Sequence, residues 1–388
     1  MKRIFIVNGN VIAENEVKKT AVVIEDGKIC CDDYRQPVPE NAEVIDAEGM
    51  YVSPGFVEIH VHGGGGADFT DASEQAFDII CKTHLEHGTT SIMPTTVSCS
   101  PAAMDNLFSV YRKVTEGKNR ITFLGLHLEG PFIADAMRGA QNPVYVRNPS
   151  KREVDYLIDC AGDIIRMCTA APELDGIGYL AKKMSQRGII LSVGHSDAVY
   201  ADIERGFDMG FRHITHLYSN TPTVRKIDQR VCAGVREAAY LIDGMAIELI
   251  GDGHHVPPEV IRLAVKYKGA DKINITSDAM RAAGTNDTES YLGEVKAENR
   301  VIVEDGVAKL PDRSFYAGSI ATADIMLKYL AGRCGVGICD AVKMLSLTPA
   351  RLVGAEGRKG SIEKGKDADI VIFDNDFNIK RVITVNDF

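Results

Sequence analysis

The feature that most restricts the fold is an alternation of short β-type runs with helix-like segments across the middle of the chain. The runs are Phe56–His62, Thr90–Thr95, Ile121–Glu129, Ile164–Ala170, Ile189–His195, His213–Tyr218, Ile247–Asp252 and Lys272–Asp278. Helical stretches such as Ser73–His87 and Val199–Met209 separate them. Strand and helix in alternation is the signature of a parallel sheet. Eight such units predict an α/β fold, a (β/α)8 barrel spanning 54–354. The competitor, an open doubly wound sheet, needs a G-x-G-x-x-G turn opening a helix. His62-Gly63-Gly64-Gly65-Gly66 follows a strand but lacks that spacing, and it reads as a flexible loop over a site.

Both ends of the chain look different from the middle. Ile4–Val7, Val22–Ile24 and Lys28–Cys31 are short strands broken by Asn8-Gly9 and Asp26-Gly27, and Ala368–Phe373 and Arg381–Val385 resemble them. Residues 1–53 and 355–388 are therefore expected to form one small β-sandwich domain from both termini.

Composition narrows the function. Hydrophobic residues make up 45% and charged residues 25%, so disorder and fibrous repeats are excluded. The net charge of −10 argues against an electrostatic grip on nucleic acid or an anionic membrane. No apolar run approaches the roughly 18–20 residues of a membrane span. The opening apolar stretch ends at Asn8, too early for a signal-peptide core. Nine cysteines without C-x-x-C spacing read as reduced thiols. The expectation is a soluble cytoplasmic protein.

The chemistry sits where the predicted strands end, the face on which barrel active sites form. Strand side chains alternate, so His60 and His62 project to one side. Glu129 is the inward residue at the rim of the third run, with Leu124, Leu126 and Leu128 on the other face. The fifth run ends at His195, the sixth contains His216 and the eighth ends at Asp278. Burying these six residues at five strand ends without a cation would be costly. Nitrogen and oxygen donors without thiolate suit Zn²⁺ first, and also Fe²⁺ or Mn²⁺. The remaining histidines read otherwise: His84 and His87 as surface or packing residues on a helix, His213 as structural and opposite in direction to His216, and His127 as a support beneath Glu129. Either His254 or His255 faces a substrate.

These motifs resemble the metal-dependent amidohydrolase superfamily. The stretch SPGFVEIHVHGGGGA from Ser53 is similar to its opening barrel strand, and GSIEKGKDADIVIFD from Gly360 to its closing β segment. GLHLEGPF, VGHSD, THLY, DGHHV, SDAMRAAG and AGS resemble the N-acetylglucosamine-6-phosphate deacetylases within it, over essentially the whole chain. The resemblance implies a homodimer, Glu129, His195 and His216 as principal metal ligands, and His60 and His62 as ligands of a second metal where one is held. One or two divalent metals per chain are therefore expected. It makes Asp278 the catalytic aspartate and His255 the substrate-contacting histidine. Rival amidohydrolases fit less well, because Ile164–Glu173 offers no bridging lysine and His195-Ser196-Asp197-Ala198 is not H-x-x-E.

Three departures fall on substrate recognition. Gln141 stands where the family has histidine, Ser219 and Asn220 follow His216 in place of Asn-Ala, and the family's arginine motif that reaches a neighbouring subunit's sugar phosphate gives way to Arg225–Arg230, where a cation can take that role. Gln141, Ser219, Asn220, Lys226 and Arg230 are thus candidate substrate contacts. The expected activity is deacetylation of an N-acetylated amino-sugar phosphate, N-acetylglucosamine 6-phosphate first. The alternatives are an amidohydrolase of another N-acyl or cyclic amide, and an inactive barrel that serves as a binding protein.

Overall fold

The computed structural model describes residues 3–388 and contains the expected ring of strands. They are β1 (Phe56–Val61), β2 (Thr89–Thr96), β3 (Leu126–Glu129), β4 (Ile165–Ala170), β5 (Ile190–Val193), β6 (Phe211–Ile214), β7 (Ala246–Ile250) and β8 (Ile273–Thr276). Neighbours pair in parallel and in chain order, for example His127 with Thr95, Glu129 with Thr169, and Ile250 with Thr276. The Thr276 hydroxyl donates to the His60 carbonyl (3.0 Å) and the His62 amide to the Ala279 carbonyl (2.9 Å). These two bonds bring β8 back to β1 and the ring nearly to closure.

Alternation along the strands separates two environments. Leu126, Leu128, Leu191, Val193, Ile247, Leu249, Ile273 and Ile275 face outward into the large core shared with the helices. The helices supply the matching face: in Glu74–Glu86, capped by the Ser73 hydroxyl on the Ala76 amide, Phe77 and Ile80 are buried. Above an apolar layer that includes Met93 and Met167, the inward face turns polar towards the mouth. His127 Nε2 meets the Thr169 hydroxyl at 2.7 Å, Thr169 meets Thr215 at 2.7 Å, and Ser192 meets His213 Nδ1 at 2.9 Å. Burial lowers His127 to about 3 and His213 to about 4, so both are neutral near pH 7.

Two local expectations are corrected. β6 stops at Ile214, so His216 lies beyond the strand and the alternation that opposed it to His213 does not apply. A left-handed backbone at His216 (φ 30°) is what ends the extended run. The glycine run is no loose flap. Gly63–Gly64 pairs with Ala67–Asp68, while the Gly65 and Gly66 amides donate to the Ala283 and Arg281 carbonyls at 2.7 and 2.9 Å. A Cβ on Gly63 would sit 2.3 Å from the Ala67 carbonyl oxygen, so only glycine fits there. His84 is buried, its Nε2 on the Gly63 carbonyl, and His87 pairs with Asp324 at 3.0 Å.

A second, seven-stranded sheet draws on both ends of the chain. Its order is Ile379–Ile383, Ile370–Phe373, Tyr51–Pro54, Arg3–Ile12, Val17–Glu25 and Lys28–Tyr34, with Glu43–Asp46 beside Arg3–Ile12. Ile370 and Ile372 join its own core with Ile4, Ile24 and Val52, whereas Val371 and Phe373 join the barrel core. Burial on both faces explains why this strand is continuously apolar.

An ionic hub fastens the layers. Lys359 Nζ, 2% exposed, donates to Asp369 (2.6 Å) and Thr122 (2.8 Å) and lies 3.0 Å from Asp367. Asp367 also holds Arg358 and Lys28, and Asp369 accepts the Val385 amide. Removing the ammonium leaves buried carboxylates short of counter-charge. Lys359→Met is accordingly expected to lower unfolding stability by about 3–5 kcal/mol in urea titration. A loss under about 1 kcal/mol would show the hub to be incidental.

Candidate active site

The strand ends meet as the alternation predicts. His60 is on β1 and His62 one residue past it, and Glu129 is the last residue of β3. His195, His216 and Asp278 each sit two residues beyond β5, β6 and β8, and all three have positive φ, 46°, 30° and 50°. Such backbone costs on the order of 1–3 kcal/mol per residue and persists where surrounding structure enforces it. Here it turns each side chain back over the mouth of the ring. The Ser319 amide on the Asp278 carbonyl (2.8 Å) and the Glu58 carboxyl on the Ser277 amide and hydroxyl hold the last of these corners.

Two ligand triads result, Glu129–His195–His216 and His60–His62–Asp278, all buried. Glu129 Oε1 is 3.0 Å from His195 Nε2 and 2.8 Å from His216 Nε2. Asp278 Oδ1 is 3.1 Å from His62 Nε2 and 3.5 Å from His60 Nε2. Glu129 also stands between the triads, its Oε1 3.5 Å from His60 Nε2 and its Oε2 3.4 Å from His62 Nε2.

The outer ring nitrogens decide what these atoms can hold. His60 Nδ1 faces Glu248 Oε1 (2.8 Å), His62 Nδ1 the Thr95 carbonyl (3.3 Å), and His195 Nδ1 the Met137 carbonyl (2.8 Å). Each partner is an acceptor, so Nδ1 carries the proton and Nε2 turns a lone pair inward. Inward nitrogens only 3.3 Å (His60, His62) and 3.2 Å (His195, His216) apart, with carboxylates beside them, need a positive charge between them. Divalent cations fit this donor set of four imidazoles and two carboxylates.

Electrostatics agree. Burial disfavours charge on His60, yet Glu248, Asp278 and Glu129 hold its pKa well above the usual range. His62 and His216 are raised the same way against burial, by Asp278 and Glu129. Glu129 is held well below the carboxylate range despite its burial, by His60 and His195. Glu248 falls to about 2 against its own burial through His60, while burial pushes Glu58 up to about 8. Protons and a cation compete for the same inward atoms.

A cavity of about 540 Å³ opens over these groups. Gln141, Ser219, Asn220 and His255 line it together with His62, Glu129, His195, His216 and Asp278. Ser98 donates its amide to Gln141 Oε1 (2.8 Å), which turns Nε2 toward Glu129 Oε2 (2.9 Å). A Cβ on Gly139 would be 2.5 Å from the Asn220 amide nitrogen, so this glycine lets the loop of Gln141 approach Asn220. His255 rather than His254 reaches the cavity, its Nδ1 on Asp252 at 2.7 Å.

Lys226 and Arg230 are not brought in. They lie exposed on a hairpin, Arg225–Ile227 with Arg230–Cys232, outside the cavity, and Arg225 is spent on Asp197. Sequence reasoning missed Glu58 and Glu248, although a lone carboxylate in each apolar strand was a signal. It also missed the wall Arg313–Tyr316, for which no motif speaks.

Comparison with known proteins places this geometry. The amidohydrolase family profile matches residues 51–385. The N-acetylglucosamine-6-phosphate deacetylase of Bacillus subtilis (strain 168) is 33% identical over 375 residues, 95% of this chain and 92% of that protein. The crystal structure of N-acetylglucosamine-6-phosphate deacetylase from Pasteurella multocida superposes with a TM-score of 0.91 at 30% identity, covering 99% of this chain and 98% of that one. A mutant of the Mycobacterium smegmatis enzyme, solved in complex with N-acetyl-D-glucosamine-6-phosphate, gives 0.89 at 27% identity, covering 100% and 99%. The chain belongs to the amidohydrolase family of metal-dependent carbon–nitrogen hydrolases, alongside these deacetylases.

Proposed function

We propose that the protein hydrolyses the acetamide of N-acetylglucosamine 6-phosphate to acetate and glucosamine 6-phosphate. The observation that carries this is the pair of converging triads under one cavity, with Glu129 between them. Glu129, His195 and His216 would hold one divalent cation, and His60, His62 and Asp278 would offer a place for a second. When bound, such a cation supplies Lewis acidity, polarising the amide carbonyl and lowering the pKa of water from about 15.7 towards 7. Asp278 accepts the proton released as water adds to the carbonyl carbon and delivers it to the amine nitrogen. Protonation makes the amine, not hydroxide, the better leaving group.

The surrounding groups set orientation. Gln141, locked by Ser98, presents its amide N–H to the reacting end of the substrate. Asp252 fixes the His255 ring so that Nε2 is left for a sugar or phosphate oxygen. Asn220 and Ser219 contact the sugar. Zn²⁺ is the first metal to test, ahead of Fe²⁺ and Mn²⁺, because the donors are nitrogen and oxygen. Nine free thiols fit a reducing cytoplasm. We place the expected homodimer contact on the hairpin, where Val231, paired with Lys226, is 68% exposed.

Acetate release is the direct test. Chain loaded with Zn²⁺, Fe²⁺ or Mn²⁺ is expected to release acetate from N-acetylglucosamine 6-phosphate, and a chelator to abolish the release. Galactosamine and mannosamine analogues belong in the same assay, and silence on every sugar would sink the proposal. Asp278→Asn should lower kcat by about 10²–10⁴-fold, with metal content measured beside it. Retention of kcat within about threefold would remove Asp278 from the proton path. Because neighbouring carboxylates raise the pKa of His60, His62 and His216, protons compete with a metal for their inward nitrogens. Zn²⁺ uptake is therefore expected to release protons in weakly buffered solution and to weaken as pH falls from 8 to about 6. An affinity flat across that window would contradict the competition.

A further inference from the structure

Among the described residues lining the cavity, Arg313 is the one guanidinium or ammonium group. Glu129 and Asp278 line the same space, and a phosphorylated sugar must keep its own negative charge away from them. The cations that the sequence put forward for a neighbouring subunit's phosphate, Lys226 and Arg230, stand outside the cavity of their own chain. Resting on the deacetylase reading, we infer that Arg313 is a specificity-determining residue that takes the phosphate of the substrate from within the same chain.

The loop carrying Arg313 is built to hold it. The Leu310 amide donates to the Phe315 carbonyl (3.0 Å), the Arg313 amide to the Leu310 carbonyl (2.8 Å), and the Ala317 amide to the Ala308 carbonyl (2.9 Å). Asp312 accepts the Ser314 amide and hydroxyl at 3.0 and 2.6 Å. These bonds staple the loop to the three-stranded sheet of Glu289–Tyr291, Arg300–Glu304 and Val307–Lys309. Glu304, at the end of its strand, grips Arg313 Nε (2.7 Å) and Nη2 (3.1 Å) and leaves the Nη1 donors for another acceptor. The arginine side chain is 60% exposed, so this pair is weak and a phosphate dianion can share the guanidinium. The planar fork suits phosphate oxygens better than an ammonium would.

The same loop reaches the other polar group of that wall. Tyr316 packs edge-on against the His255 ring, with centroids 4.9 Å apart. His255 and Arg313 therefore stand on connected elements on the cavity wall, one fixed by Asp252 and the other by Glu304.

The test compares N-acetylglucosamine 6-phosphate with N-acetylglucosamine on the metal-loaded full chain, as wild type, Arg313→Gln and Arg313→Lys. Arg313→Gln should lower the ratio of the two kcat/KM values by about ten- to a hundredfold, chiefly through KM for the phosphorylated sugar. Arg313→Lys should recover part of that loss. Calorimetric binding of glucosamine 6-phosphate and glucosamine to the same proteins should show the weakening on the phosphorylated sugar alone. An unchanged ratio in Arg313→Gln, or the loss appearing instead in a Lys226→Gln/Arg230→Gln double variant, overturns the assignment. If wild type releases acetate from neither sugar, the deacetylase reading falls by itself, and the calorimetry still decides Arg313.

Discussion

The structure turns on one electrostatic demand: inward lone pairs crowd together at the mouth of the ring and must be met by positive charge. His60, His62 and His195 each give their outer nitrogen to an acceptor, and that commits the inner nitrogen to the same small volume as Glu129 and Asp278. In a low-dielectric interior such an arrangement without counter-charge would be expelled or protonated. The left-handed corners at His195, His216 and Asp278 exist to maintain it. So does the polar floor of His127, Thr169, Thr215 and Ser192, which keeps the space beneath the mouth hydrogen-bonded rather than collapsed.

Much of this was legible in the chain because strand geometry has a period of two. His60 and His62 had to share a face, and Leu126 and Leu128 had to oppose His127 and Glu129, whatever the loops did. Periodicity does not reveal where extended backbone gives way to a left-handed corner. His216 was therefore set on a strand that ends at Ile214. Nor does it reveal partners brought together by the ring. Glu248 binds His60 across the barrel, and Glu58 supports Ser277 from the far side of the chain. The glycines after His62 looked like a flap because composition cannot show that Ala283 and Arg281 receive their amides. The Arg313 wall carried no motif, since a loop's contribution depends on what it is stapled to.

The site also divides its tasks between kinds of backbone. The groups proposed to hold metal and carry the proton ride on strands or their immediate ends, anchored by cross-ring hydrogen bonds. Gln141, Asn220, His255 and Arg313 ride on loops, braced among others by Ser98, Gly139, Asp252 and Glu304. Substitution in a loop brace can redirect which ligand is held without disturbing the ring.

The seven-stranded sheet has a consequence for how the chain acquires its structure. Tyr51–Pro54 lies between Arg3–Ile12 and Ile370–Phe373, so an early-made strand keeps one open flank until the final portion emerges from the ribosome. Pairing over so great a sequence separation is slow to nucleate. Truncation at the carboxyl end would thus strip a neighbour from the amino-terminal strands and bare an apolar edge inviting aggregation, even with every group at the mouth of the ring still encoded.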